Sequence, residues 1–310
     1  MARILILGGN GFIGRNLTTS LINSGYEVTC ADRVFPGQAH KVNSNLQPEF
    51  KTGDLSDASF VHSLFDSGAF DWVIHLACSL IPSSGYVDFL RERELNIFGG
   101  YELIRNMRES GSRRILFFST GGAIYGDNGL EKNKEESPLK PLNYYAYSKL
   151  VMEEYIRMES RTGGPSHIIV RPSNPYGSGQ NIFGRQGLIA VTLGKILKGE
   201  SPQIWGDGTV VRDYLHIADL VNAIALLMKS GQTDQTYNVG SGKGFSVNEI
   251  MRIIREATGN QFHTEYLPGR QVDVPVNVLD ISKLTSHTGF SPSTELKEGI
   301  SNLWKEMRLS

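Results

Sequence analysis

Ile4-Leu5-Ile6-Leu7-Gly8-Gly9-Asn10-Gly11-Phe12-Ile13-Gly14 is the stretch on which the fold turns. The four consecutive large apolar residues have the character of a strand buried on both faces, and glycines then break the run. From Phe12 to Leu21 the apolar positions recur at helical spacing. The reading is strand, tight turn, helix. Gly8, Gly11 and Gly14 stand at G-x-x-G-x-x-G spacing, one residue longer between the first two glycines than the usual dinucleotide fingerprint. In such a loop the first glycine permits the turn, the second lets a pyrophosphate approach the backbone, and the third lets helix pack on strand. The amides of Phe12 and Ile13 then open the helix toward an anion.

Working outward, Tyr26 to Ala31 reads as a second strand that ends at Asp32-Arg33. A carboxylate there accepts both hydrogens of an adenosine ribose diol and repels a 2′-phosphate, which favours NAD over NADP. Arg33 is the counter-argument, since a guanidinium pairs readily with that phosphate. A third strand ends near Thr52, Asp57 is placed to cap a helix from Ala58 to Asp66, and Trp72 to Leu76 is a fourth strand. Long helical stretches from Tyr86 to Ser110 and from Tyr144 to Arg161 flank a strand over Arg114 to Phe118, and another strand covers Ser166 to Arg171. Strand alternating with helix implies an α/β protein, a Rossmann-type parallel sheet with helices on both faces. Past Ser178 the segments shorten, which predicts a smaller mixed α/β C-terminal substrate domain. The expected division is 1–177, with return segments around 209–240, and 178–310.

Composition narrows the function. With 310 residues and 40% hydrophobic content the chain builds one large core or two modest ones. A net charge of −1 with both signs interspersed gives no electrostatic footprint for nucleic acid or an anionic membrane. The two cysteines, Cys30 and Cys78, lie in apolar settings without metal-ligand spacing, so unreactive thiols, a cytoplasmic location and no metal are expected. The N-terminal apolar run is too short for a signal or membrane segment.

The pair that carries chemistry is in Tyr145-Ala146-Tyr147-Ser148-Lys149, where Tyr145 and Lys149 share one helical face. A phenol is a poor base near neutrality, with an ordinary pKa of about 10. An ammonium and a cationic nicotinamide beside it favour the phenolate. Tyr145 can then take an alcohol proton while hydride leaves carbon for NAD. Such a pair alone is common on helices. Behind a glycine loop of this kind it is specific.

With these residues in view, the chain resembles the extended short-chain dehydrogenase/reductases, in the nucleotide-sugar epimerase and dehydratase group, over nearly its whole length. The resemblance rests on the glycine loop, Asp32, Asp54-Leu55, His75-Leu76-Ala77, Asn96, Ser119-Thr120, Tyr125-Gly126, Tyr145 with Lys149, Arg171-Pro172-Ser173-Asn174-Pro175-Tyr176-Gly177, Gly206-Asp207-Gly208, Arg212-Asp213-Tyr214 and Pro268-Gly269-Arg270. It implies an NAD-dependent nucleotide-sugar 4-epimerase and a UDP-sugar as partner. By the same resemblance Asp54 and Leu55 flank the adenine, Ala77 and Lys149 contact the nicotinamide-side ribose, and Leu76 and Ser119 are further cofactor-binding residues. Asn174, Arg212, Arg270 and Asp273 hold the sugar nucleotide, and the two long helices form a homodimer.

Two departures shape the expectation. Where the family usually carries a catalytic Ser or Thr, this chain has Gly121, so either Thr120 or Ser119 supplies the hydroxyl from a shifted loop, or a bound water does, or catalysis leans wholly on Tyr145 and Lys149. Dehydratases of the group carry an acid just after that hydroxyl, whereas Gly122-Ala123-Ile124 has none, which favours epimerisation over elimination. A 4-ketoreductase, a dehydratase and a non-catalytic dinucleotide sensor remain as alternatives. His75 and His216 are expected to be hydrogen-bonded structural residues, and Asp213 to orient Arg212 or cap the next helix.

Overall fold

The computed structural model describes residues 1–35, 46–129, 131–184, 186–269 and 274–309. The chain divides into two compact units: Met1–Ile124 with Pro141–Arg171 and Leu227–Tyr237, and Tyr125–Lys140 with Pro172–Leu226 and Asn238–Ser310. The first unit thus releases the chain after Ile124 and takes it back at Pro141, a crossing inside the run 1–177 that the sequence does not mark.

In the first unit β1 (Arg3–Leu7), α1 (Phe12–Asn23), β2 (Glu27–Asp32), β3 (Glu49–Thr52), α2 (Ala58–Ser63) and β4 (Trp72–His75) follow in order. Then come α3 (Tyr86–Arg93), a π-helical turn over Glu94–Phe98, α4 (Gly99–Ser110), β5 (Arg114–Phe118), α5 (Tyr144–Arg161) and β6 (Ser166–Pro172). The strands from β6 through β5, β4, β1 and β2 to β3 pair in parallel, each with the next. Ile4 to Leu7 are wholly buried, as a strand covered on both faces requires. The α/β expectation is borne out. One hydrophobic core, from Leu5 and Leu7 through Val73, Ile104 and Phe117 to Met152 and Ile156, fills one side of the sheet. Because all these strands run the same way, the ends of β1 to β5 deliver Gly8, Asp32, Gly53, Ala77 and Ser119 to one edge, where ligands of such sheets bind.

The helical stretch expected over Tyr86 to Ser110 is two helices joined by the π turn. Asn96 donates from Nδ2 to the Glu92 carbonyl (2.7 Å) and to Ser79 Oγ (2.7 Å), and accepts from the Ser79 amide (3.1 Å). The widened turn lets Gly99 come so close to the loop after β3 that a Cβ there would lie 2.4 Å from the Leu55 carbonyl oxygen.

The second unit holds β7 (Asn174–Tyr176), α6 (Leu188–Leu197), β8 (Gln203–Trp205), β9 (Val211–His216) and α7 (Ile217–Lys229), whose last residues return to the first unit. β10 (Gln235–Val239) completes the seven-stranded sheet against β6. It is followed by β11 (Gly244–Ser246), α8 (Val247–Thr258), β12 (Glu265–Leu267), β13 (Val276–Asn277), α9 (Ser282–Thr288) and α10 (Leu296–Leu309). β9 pairs with β7, β11 and β13, and β8 with β12. Ser246 and Glu249 cap α8 reciprocally, and Gly259 ends it in the left-handed region. Its apolar face joins α10 through Ile250, Ile254, Ile300 and Trp304 in a separate core. Among the described residues, no helix is long and apolar enough to cross a membrane.

Candidate active site

The glycine loop has the geometry its spacing implies. Gly8 has φ +81°, and a Cβ there would lie 2.9 Å from the Ala77 nitrogen. A Cβ on Gly14 would lie 2.2 Å from the Gly8 carbonyl oxygen, so helix and loop meet only because this residue is glycine. Gly11 begins α1 without a side-chain cap, leaving the first-turn amides, Phe12 and Ile13 among them, for an anion. The Asp32 carboxylate is fixed by the Asn10 amide (2.9 Å) on one oxygen and the Arg33 amide (2.7 Å) on the other. Both oxygens are thereby held in place at the end of β2, where a ribose diol needs an acceptor.

Between these groups lies a cavity of about 220 Å³ lined by Gly8, Gly11, Ala31, Asp32, Arg33, Gly53, Leu55, Phe60, Leu76, Ala77, Cys78, Ser79 and Leu95. An uncapped helix terminus, a fixed carboxylate and apolar walls make a set that fits a dinucleotide. Of the expected cofactor residues, Gly8, Gly11, Asp32, Arg33, Leu55, Leu76 and Ala77 line it together. Asp54 is not in the lining; its carboxylate accepts from the amide (2.9 Å) and hydroxyl (2.8 Å) of Ser56. Phe60, Cys78, Ser79 and Leu95 are contributors that sequence reasoning misses. Leu95 arrives through the π turn, and Cys78, expected to be buried and inert, is half-buried in the wall. Cys30 is the buried thiol, bonded to Thr18 Oγ1 at 3.1 Å, and burial pushes it up to about 11.

Tyr145 and Lys149 lie on α5, which starts where Asn143 Oδ1 accepts from the Ala146 amide (2.8 Å). The half-buried Tyr145 has a side-chain hydrogen bond with Thr120, the residue before the glycine that replaces the usual hydroxyl. Burial raises the phenol above its ordinary range, the Cys78 thiol raises it further, and the Thr120 bond works the other way. In the protein by itself Tyr145 is thus a firmly protonated phenol, opposite in direction to the working state expected of it. Adjacent positive charge has to reverse that. Ser119 is buried after β5, its amide bonded to the Val170 carbonyl at 2.8 Å.

One turn beyond Lys149, Glu153 is fully buried and accepts from Arg171 Nε (2.9 Å), Arg171 Nη2 (2.6 Å) and Arg157 Nη2 (2.7 Å). Burial alone would raise its carboxyl, but the bonds and charge of Arg171 and the charge of Arg157 prevail and hold it low. This clamp ties α5 to β6. His75 is buried at the end of β4, with its Nδ1 unbonded among the described residues. Burial and the Lys149 charge push it down to about 3, so it is neutral and not the hydrogen-bonded residue expected.

In the second unit Asn174 Nδ2 donates to the Asp213 carbonyl (2.8 Å), and Arg212 Nη1 to the carbonyls of Val211 (2.9 Å) and Val274 (2.7 Å). Asp213 neither orients Arg212 nor caps α7. Its buried carboxylate accepts from the Ser241 amide (2.8 Å) and hydroxyl (2.7 Å) and the Gly242 amide (3.1 Å), fastening the turn after β10. Arg270 and Asp273 lie outside the described residues. Among the described residues no group of three or more His, Cys, Asp and Glu could hold a metal ion.

Sheet order, cavity and the Tyr145/Lys149 pair define an enzyme of the extended short-chain dehydrogenase/reductase type. The profile of the NAD dependent epimerase/dehydratase family matches residues 4–240. The chain is 34% identical over 305 residues, 98% of both chains, to a putative UDP-glucose 4-epimerase of Methanocaldococcus jannaschii. It superposes with a TM-score of 0.92 and 31% identity, over 99% of both chains, on a UDP-glucose 4-epimerase of Thermotoga maritima solved with UDP-glucose. A UDP-glucose 4-epimerase of Thermus thermophilus solved with NAD gives a TM-score of 0.89 and 31% identity, again over 99% of both chains. The chain belongs to the NAD-dependent epimerase/dehydratase family. Membership bears out the resemblance, the enzyme class and NAD as its cofactor.

Proposed function

We propose that this protein interconverts a UDP-sugar and its C4 epimer through a 4-keto intermediate. The candidates are UDP-glucose with UDP-galactose, or an N-acetyl or uronate relative. The observation that carries this reading is the joining of Tyr145 to Thr120 in the same unit as the dinucleotide cavity, with Lys149 one turn away. Bound NAD supplies the hydride acceptor and then the hydride donor. Tyr145 Oη takes the O4 proton as the C4 hydride leaves, and returns it when the hydride comes back to the opposite face, so there is no net redox. Thr120 orients the phenol and stands in for the hydroxyl missing at Gly121. Lys149 favours the phenolate by its charge. Gly122, Ala123 and Ile124 offer no acid at the neighbouring carbon, which supports epimerisation over elimination. On the substrate side, Asn174 and Arg212, whose side chains are braced by backbone carbonyls, are assigned with Arg270 and Asp273 to the sugar nucleotide.

The test is incubation of the purified protein with UDP-glucose, UDP-N-acetylglucosamine and UDP-glucuronate in turn, without added cofactor, followed by proton NMR. Appearance of a C4 epimer from one of them is expected. Net consumption of added NADH instead would make the protein a reductase.

The homodimer belongs to the same proposal. Tyr86, Val87, Leu90, Phe98 and Tyr147 are exposed apolar side chains on α3, the π turn and α5, and Phe89 stacks on Tyr144 at 5.3 Å. An apolar face of this kind is suited to a second copy. Light scattering at micromolar concentration should give twice the chain mass, and a monomer there would remove the dimer from this reading.

A further inference from the structure

An ammonium taken out of water is costly unless something replaces its hydration. Lys149 is only 5% exposed. Among the described residues no carboxylate or hydrogen-bond acceptor is bonded to its Nζ, and Glu153, the nearest acid along its own helix, is committed to Arg171 and Arg157. What Lys149 does have is the ring of Phe117, with Nζ over the face and 4.9 Å from the centroid. That is within the roughly 6 Å over which a ring quadrupole attracts a cation. The ring is itself fixed. Phe117 is buried in β5, and His75 on the neighbouring β4 meets it edge-on with centroids 5.4 Å apart.

We propose that Phe117 is a positioning residue for the catalytic machinery: the face of its ring holds the Lys149 ammonium in place, one helical turn from the Tyr145 phenol. This rests on the roles given to Tyr145 and Lys149 above. The surroundings are consistent. From β4 comes His75, kept neutral by burial, so no second cation competes for the ring. From the loop after β4 comes the Cys78 thiol, and from the end of β5 the Thr120 hydroxyl, both acting on the phenol. From β6 comes Arg171, neutralised by Glu153 on α5. Phe117 therefore provides the negative face that no carboxylate supplies, and it leaves the ammonium's three N–H groups for other partners. A carboxylate in its place would cancel the charge that Tyr145 needs, whereas a ring holds the charge without neutralising it.

The experiment replaces Phe117 with 4-fluoro-, 3,5-difluoro- and 3,4,5-trifluorophenylalanine, which keep the ring's shape while weakening its negative face step by step. It is made on the NAD-loaded protein. The Tyr145 phenolate is followed in the near ultraviolet as the difference between each protein and its Tyr145→Phe counterpart. The midpoint should rise with each added fluorine, by roughly half to one pH unit across the series. With an active substrate, kcat near neutrality should fall in the same order while KM holds. Thermal midpoints should stay level, since packing is retained. A flat series of titration midpoints overturns the proposal, as does a phenolate signal absent from the unfluorinated protein at every pH short of unfolding. Because the titration needs no turnover, failure to epimerise any sugar would count against the proposed function and leave this test intact.

Discussion

Tyr145→Phe is expected to lower turnover by roughly 100- to 10,000-fold, the range that a positioned acid/base group contributes, while NAD remains bound. The two effects separate because the cavity lining runs from Gly8 and Asp32 to Ser79 and Leu95 and does not include Tyr145. The variant keeps the ring and loses only the hydroxyl that bonds Thr120. That bond accounts for a small fraction of stability, about 1 kcal/mol, so the protein should fold. Cofactor content is read by denaturing the purified protein and assaying the NAD released, and turnover by the NMR assay. Activity within tenfold of the parent would remove Tyr145 from the proton-transfer role. Loss of NAD together with activity would show instead that the phenol organises the cofactor pocket. The direction of the phenol's shift bears on the mechanism. Burial makes Tyr145 a weaker acid than free tyrosine, so its work as a base depends on the positive charge set beside it.

The second large effect is on stability. Glu153→Ala removes the carboxylate that Arg171 and Arg157 share and leaves the buried Arg171 guanidinium without its bidentate partner. Breaking a buried pair from one side costs about 3–5 kcal/mol, a large part of the ~5–15 kcal/mol that holds a domain folded. The urea midpoint of the first unit should fall accordingly, and a loss below about 1 kcal/mol would show that water or a neighbour replaces the carboxylate. The sign of the pH dependence follows from the depressed folded value of Glu153. Its contribution is fully present above the ordinary carboxyl value of 4.5 and is lost as pH falls through the lower folded value. Arg171 stays charged throughout. Acid should therefore narrow the difference in stability between the parent and Glu153→Ala, and a difference that widened on acidification would contradict the assignment. Since Glu153 is one turn from Lys149, the same clamp fixes the rotation of α5 that presents the Tyr145/Lys149 face.

The glycine loop, the carboxylate at Asp32 and the Tyr145/Lys149 pair were legible in the sequence because each is a local pattern. A tight turn needs glycine where φ is positive or a Cβ would collide, strand and helix periods of two and 3.6 are written in the apolar positions, and a four-residue spacing fixes a helical face. The same locality made the alternating α/β order readable, and with it the edge where Gly8, Asp32 and Ala77 meet. The tertiary structure decided what depends on neighbours distant in the chain. That Thr120, not Ser119, carries the hydrogen bond to Tyr145 depends on how the loop after β5 meets α5. That Asp54 closes its own turn while Leu55 lines the cavity depends on the path after β3. The π turn at Asn96 brings in Leu95, and the pairing of β4 with β5 sets His75 against Phe117. No sequence pattern marks a phenylalanine as the support of a lysine thirty-two residues away. The reason is physical: spacing encodes which residues share a face, whereas burial, shifted ionisation and a ring beneath a charge arise only when separate faces are packed together.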